Sequence, residues 1–158
     1  MSGIPLTVAG AKRLNEELHN LKTVERPAVI DAIATARAHG DLSENAEYDA
    51  ARERQSFVEG RIKELEGALS AANIIDPTAL DAGDRIVFGA TVELEDLESG
   101  EQLKYQIVGD IESDIRLNLI SISSPVARAL IGKHEGEEVT VRVPSGEREF
   151  EILSVEYI

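Results

Sequence analysis

Two carboxylates stand three positions apart in the run His39-Gly40-Asp41-Leu42-Ser43-Glu44-Asn45-Ala46-Glu47-Tyr48. Asp41 and Glu44 at that spacing serve either of two purposes. In the first, Asp41 caps a following helix and Glu44 reaches back to complete a capping box, which is purely structural. In the second, both project from a loop, where their charge helps to hold a magnesium ion and orient a water. Spacing alone favours the capping use, because capping carboxylates are common. Magnesium prefers a full octahedral oxygen shell, so two exposed carboxylates without further ligands bind it weakly. A chain relying on such a pair is expected to bind no cofactor stably and to be inert alone.

The elements that position this pair are legible. Tyr48, Ala51, Gln55, Val58, Ile62, Leu65, Leu69 and Ala72 recur three and four residues apart, and charged residues fill the gaps. This is a heptad seam, and it predicts one long helix over 46–75, about 40 Å in length. Gln55 sits in the seam either to fix register or as a tolerated polar residue at a half-exposed site. Upstream, Leu14, Leu18 and Leu21 make the same pattern, which resumes as Ile30, Ile33 and Ala36 after an interruption at Arg26-Pro27. Proline lacks an amide hydrogen and crowds the preceding turn, so a kink or short break belongs there. Thr7 is placed to cap the start, and Gly40 to stop the first arm near His39. Two such stripes joined by residues 38–45 must bury each other as an antiparallel helical hairpin.

The second half reads differently. Asp76-Pro77 and Asp81-Ala82-Gly83-Asp84 predict a linker over 76–84. Strands are expected from Thr91, from Leu103 to Ile107, near Ile120, over Val139 to Val143, and from Phe150 to Tyr157. The apolar spacing slips by one between Ile152 and Val155, which predicts a bulge. Ser124 and Pro125 suit the N-cap and first position of a short helix that Gly132 terminates. The fold class is therefore a coiled-coil hairpin over 1–75 and an α+β domain over 85–158, a mainly antiparallel sheet with one short helix.

Thirty acids against sixteen bases give the 158-residue chain a net charge of −14. That field repels phosphate backbones and argues against a free-standing nucleic-acid binder. The imbalance is uneven, with twelve acids against nine bases in 1–75 and eighteen against seven in 76–158, as expected of modules with different partners. Cysteine is absent, which removes disulfides, cysteine-ligated metals and a thiol nucleophile. No Walker A run or Gly-x-Gly-x-x-Gly fingerprint occurs, and the three histidines lack ligand spacing. No apolar run is long enough to span a membrane and no secretory signal opens the chain, so a cytoplasmic protein is expected.

The run Gly40 to Tyr48, continuing through Ala50-Ala51-Arg52-Glu53, resembles the tip signature of the bacterial transcript cleavage factors of the Gre family. Ile4-Pro5, Thr7, Gly10, Glu59-Gly60-Arg61-Ile62, Phe88-Gly89-Ala90-Thr91-Val92, Asn118 to Ser121, Ser124 to Lys133 and Val155-Glu156-Tyr157 continue the resemblance in order. It implies a factor that docks on bacterial RNA polymerase and inserts its hairpin into the secondary channel. There it would help a backtracked enzyme hydrolyse the extruded 3′ end of the nascent RNA. By the same resemblance Asp41 and Glu44 assist the polymerase site and share its magnesium, only within the complex. Arg37, Arg52 and Tyr48 would contact RNA, while Arg37 and Arg52 read alone could equally pair with Asp41, Glu47 or Asp49. Ser123, Ser124 and Pro125 would contact polymerase, although Ser124-Pro125 also reads as a capped helix start with no partner. The C-terminal part is expected to resemble the FK506-binding protein fold, without isomerase activity following from it. A monomer is expected when free. The competing readings are a channel-binding inhibitor of the polymerase, a coiled-coil chaperone or adaptor, and an independent magnesium nuclease.

Overall fold

The structure, a computed structural model, describes residues 3–40 and 45–158. It divides into two compact units: Lys12–Ala71, and a second that joins Ala72–Ile158 to the stretch ending at Ala11.

The first unit is the helical hairpin. Helix α1 (Val8–Asn20) begins at Thr7, whose Oγ1 accepts a hydrogen bond from Gly10 N–H at 3.0 Å, as expected of an N-cap. A π turn (Leu21–Glu25) then leads into α2 (Arg26–Ala38), with Pro27 in its first turn. Proline cannot donate to the carbonyl four residues back, and the chain accommodates it by widening the preceding turn. Arg26 N–H accordingly donates to Leu21 O, five residues back. The widened turn inserts one residue into the helical phase. Leu14, Leu21, Val29, Ile33 and Ala36 are buried, whereas Ile30, expected in the stripe, is half exposed to solvent and its place is taken by Val29.

Helix α3 (Ala46–Ser70) returns antiparallel and buries Ala51, Val58, Ile62, Leu65 and Ala68. Burial of each large apolar side chain stabilises the hairpin by about 1.5–3 kcal/mol. Ion pairs cross between the arms outside this seam. Arg26 donates twice to Glu59 at 2.8 Å, Arg61 donates to Glu17 at 2.7 and 3.0 Å, Lys22 pairs with Glu66 at 3.1 Å, and Arg54 pairs with Glu25. The expected helix over 46–75 is corrected at its end: it stops at Ser70, and β2 (Ala72–Ile75) follows. That strand pairs in parallel with β1 (Ile4–Thr7), Ile4 opposite Ala72 and Thr7 opposite Ile75. The β-branched Ile74-Ile75 just before Pro77 favours extended chain over a further helical turn.

In the second unit five strands form one sheet in the order β5-β4-β3-β7-β6. They are β3 (Thr91–Asp96), β4 (Gln102–Val108), β5 (Leu119–Ser121), β6 (Glu138–Val143) and β7 (Gly146–Glu156). Pairings are antiparallel except β4 with β5, which is parallel, so the sheet is mixed. The expected bulge is present: Glu93 faces Ser154 and Leu94 faces Ile152, leaving Leu153 unopposed. Helix α4 (Pro125–Leu130) packs Ala127 and Leu130 into a core that includes Val92, Leu94, Ile107, Val141, Phe150 and Ile152. The residues expected as a linker include a short 3-10 turn (Pro77–Ala79) capped by Asp76, and Pro77 is buried.

A buried carboxylate ties the start of the chain into this unit. Glu112 accepts from Thr7 N–H at 2.8 Å, from Thr7 Oγ1 at 2.6 Å and from Gly109 N–H at 3.1 Å. Two glycines make the approach possible. A Cβ at Gly10 would lie 1.9 Å from Glu112 Oε1, and one at Gly109 would lie 2.2 Å from Pro5 O.

Candidate functional site

The tip of the hairpin is built by the ends of α2 and α3. His39 caps α2, and Gly40 follows at φ +111°, a left-handed conformation that costs glycine little. Across the turn Asn45 caps α3. Its Oδ1 accepts from Tyr48 N–H at 3.0 Å, and its Nδ2 donates to Ala36 O at 2.7 Å, joining the two arms. Asn45, which was not picked out from the sequence, is thus the N-cap of α3. Asp41 and Glu44 themselves lie outside the described residues.

One turn from the tip, three of the expected residues come together. The guanidinium carbons of Arg37 on α2 and Arg52 on α3 lie 5.9 and 5.8 Å from the centre of the Tyr48 ring. Arg52 also donates to the Tyr48 hydroxyl at 2.9 Å. The Tyr48 phenol is held below its ordinary range, first by hydrogen bonding with Arg37 and then with Arg52. Glu47, considered above as a partner for these arginines, instead lies 3.1 Å from His39 Nδ1. Among the described residues neither Arg37 nor Arg52 forms an ion pair with a carboxylate. Two cations stacked about one aromatic ring offer planar donors for phosphate and flat faces for bases.

The three residues of the second candidate surface, Ser123, Ser124 and Pro125, precede and open α4. Ser124 Oγ accepts from Ala127 N–H at 3.2 Å and so caps the helix, with Pro125 in the first turn. Ser123 Oγ donates to Asp110 Oδ1 at 2.8 Å and lies 2.8 Å from Ser121 Oγ. Hydrogen bonds from Ser121, then Ser123, hold the Asp110 carboxyl below the usual carboxylate range. Asp110 was not picked out from the sequence, where nothing separates it from the surrounding acids. Ser123 and Pro125 are exposed.

Among the described residues no group of three or more His, Cys, Asp or Glu side chains could hold a metal ion, and no helix is long and apolar enough to cross a membrane.

Comparison with known proteins covers nearly the whole chain. Residues 4–74 match the family model for the N-terminal part of transcription elongation factors, and residues 81–157 match the model for the C-terminal part of GreA/GreB. The chain is 67% identical over 154 residues to transcription elongation factor GreA of Xanthomonas campestris, with 98% of each covered. It is 63% identical over 158 residues to GreA of Ralstonia nicotianae, with both covered completely. Among solved structures, GreA factor homolog 1 of Thermus thermophilus is 30% identical over 98% of this chain and 99% of its own, at a TM-score of 0.44. The GreA/GreB factor of Nitrosomonas europaea is 23% identical over 98% of this chain and 99% of its own, at a TM-score of 0.43.

Proposed function

Because the chain belongs to the GreA/GreB family of transcription elongation factors, we propose that it rescues backtracked bacterial RNA polymerase by stimulating cleavage of the nascent transcript. It is a transcript cleavage factor, activating the polymerase and not cutting RNA alone. The observation that carries this reading is identity of 62–67% with GreA proteins over 98% or more of the chain. The helical hairpin of α1, α2 and α3 is the part that enters the secondary channel, and the C-terminal unit docks on the polymerase through Ser123, Ser124 and Pro125. The factor acts in the cytoplasm and is monomeric when free.

Asp41 and Glu44 fit magnesium by donor type, since carboxylate oxygens are ligands that this hard cation takes. Two of them leave most of an octahedral shell to ligands from the polymerase, which is why the pair would hold the metal only in the complex. When bound, the metal would lower the pKa of a coordinated water and stabilise charge on the phosphodiester oxygens. The residues of the chain perform the delivery. Asn45 holds the two helix ends together by bonding Ala36 O and Tyr48 N–H. Arg37, Arg52 and Tyr48 engage the extruded strand. In a chain of net charge −14 these two cations hold RNA only after docking has brought it within a Debye length, about 8 Å at physiological salt.

A backtracked polymerase carrying a 3′-labelled transcript tests the reading. Short 3′ fragments should appear rapidly only when the protein and magnesium are both added. Asp41→Asn and Glu44→Gln should each lower that rate at least tenfold while polymerase binding is retained. Suppressed synthesis without fragments would replace this function by channel inhibition, and cutting of naked RNA would replace it by an independent nuclease. No effect on polymerase would point to an adaptor.

A further inference from the structure

Adjoining the Arg37-Tyr48-Arg52 cluster is a groove of about 270 Å³ between α2 and α3, lined by Ile30, Ile33, Ala34, Arg37, Arg52 and Gln55. Its size suits one planar ring, being just below the range of about 300–1,000 Å³ for sites that take a drug-sized ligand. With the π turn at Leu21–Glu25, Val29, Ile33 and Ala36 fill the seam, so Ile30 stands at its edge, 54% exposed, and the small Ala34 is exposed one turn further on. One turn back along both helices the facing residues are Arg26 and Glu59, joined by two hydrogen bonds. At the level of Ile30 and Gln55 an aliphatic side chain shares the groove with an amide instead. Among the described residues no hydrogen bond engages that half-buried amide.

The geometry points to this groove as a seat for a single unstacked base of the extruded RNA, and to Gln55 as the residue that reads the edge of that base. The inference rests on the elongation-factor reading above and adds the ligand subsite to it. Three features match a nucleotide and do not match an apolar peptide. Its walls are two guanidinium groups, which bind phosphate and stack on bases. Its floor is aliphatic, and its one remaining polar group carries both a donor and an acceptor, as base-edge pairing requires. These cations also stand in a strongly acidic chain, so an anionic strand is the occupant that the local charge favours over the rest of the surface.

The test uses the full-length protein with backtracked polymerase whose transcript carries 4-thiouridine at the extruded 3′ nucleotides. Irradiation is expected to crosslink the RNA to peptides containing residues 30–37 or 52–55. Ala34→Glu, which fills the groove with a carboxylate at an exposed helical site, should cut crosslinking and subsaturating cleavage by about tenfold, a loss of the size expected for base stacking. Ala32→Glu adds the same charge at an exposed position of α2 outside the groove, and should change cleavage less than twofold. Gln55→Leu should slow cleavage about fivefold, the factor for one lost hydrogen bond. Polymerase binding should stay within twofold for all three variants. Cleavage by wild type with crosslinks elsewhere, or wild-type rates in both Ala34→Glu and Gln55→Leu, would overturn the groove and leave the cleavage function intact. Loss of polymerase binding that accounts for the slower cleavage would also overturn it. If wild type releases no fragments, the elongation-factor reading fails first and the groove assignment with it.

Discussion

Replacing Gly10 by alanine should destabilise the C-terminal unit through a carboxylate more than a hundred residues away. The new Cβ would stand 1.9 Å from Glu112 Oε1 and 2.5 Å from Glu112 Cδ, far inside van der Waals contact. Gly10 lies in α1, so its backbone cannot retreat without breaking the Thr7 cap, and Glu112 must leave. It then gives up hydrogen bonds from Thr7 N–H, Thr7 Oγ1 and Gly109 N–H. Hydrogen bonds to a charged group contribute about 1.5–3 kcal/mol each, and water recovers part of the loss, so about 3–5 kcal/mol is expected. Urea unfolding followed by circular dichroism and tyrosine fluorescence, with hydrogen exchange at the Thr7 amide as a local probe, measures it. A second variant decides the cause. With Glu112→Ala in place the clash disappears, and Gly10→Ala should become neutral or stabilise by about 1 kcal/mol, because alanine favours a helix interior over glycine. Equal losses from Gly10→Ala in the two backgrounds would refute the steric argument.

Three further outcomes are expected. Tyr48 should titrate before Tyr157 in a phenolate absorbance or NMR titration, since the arginines lower the former and burial raises the latter, and Arg37→Ala and Arg52→Ala should each move Tyr48 upward. The Tyr48 shift stabilises the fold fully above the ordinary tyrosine value of about 10 and vanishes as pH falls through its lowered value, so it contributes nothing at neutral pH. Asn45→Ala should cost the hairpin about 1–2 kcal/mol in thermal unfolding, because it removes both the cap of α3 and the bond to Ala36 O. Ser124→Ala should cost about 1 kcal/mol, whereas Ser124→Asp keeps a capping oxygen and the stability. If Ser124 also contacts polymerase, the aspartate variant alone will separate the two roles, binding weakly while folding normally.

The heptad seam of α3, the terminating Gly40, the caps at Thr7 and Ser124, the positions of the strands along the chain and the bulge at Leu153 were legible because each is written in local periodicity or in a residue type with one backbone preference. What could not be read depended on partners distant in sequence. The strand Ala72–Ile75 continues the apolar spacing of the helix before it, and only pairing with Ile4–Thr7 makes it extended. Pro27 announced an interruption, but the choice of a wide turn, with its consequence that Val29 is buried in place of Ile30, depends on how α2 meets α3. At the tip, Arg37, Tyr48 and Arg52 could be nominated from the sequence, whereas their convergence on one ring follows from the register of the hairpin. Glu112 looked like any other surface acid, because the chain gives no hint that Thr7 and Gly109 will close over it.

The wide turn at Leu21–Glu25 works as a vernier for the far end of the arm. Rewinding it as uniform α-helix with no residue removed would turn everything beyond it by about 100° around the helix axis. Val29, Ile33 and Ala36 would swing out of the seam, and Arg37, three turns downstream, would point away from Tyr48. The azimuth of a guanidinium beside the tip is thus set by backbone hydrogen bonding more than ten residues upstream, and insertions or deletions along the shaft are constrained even where the side chains are free to vary.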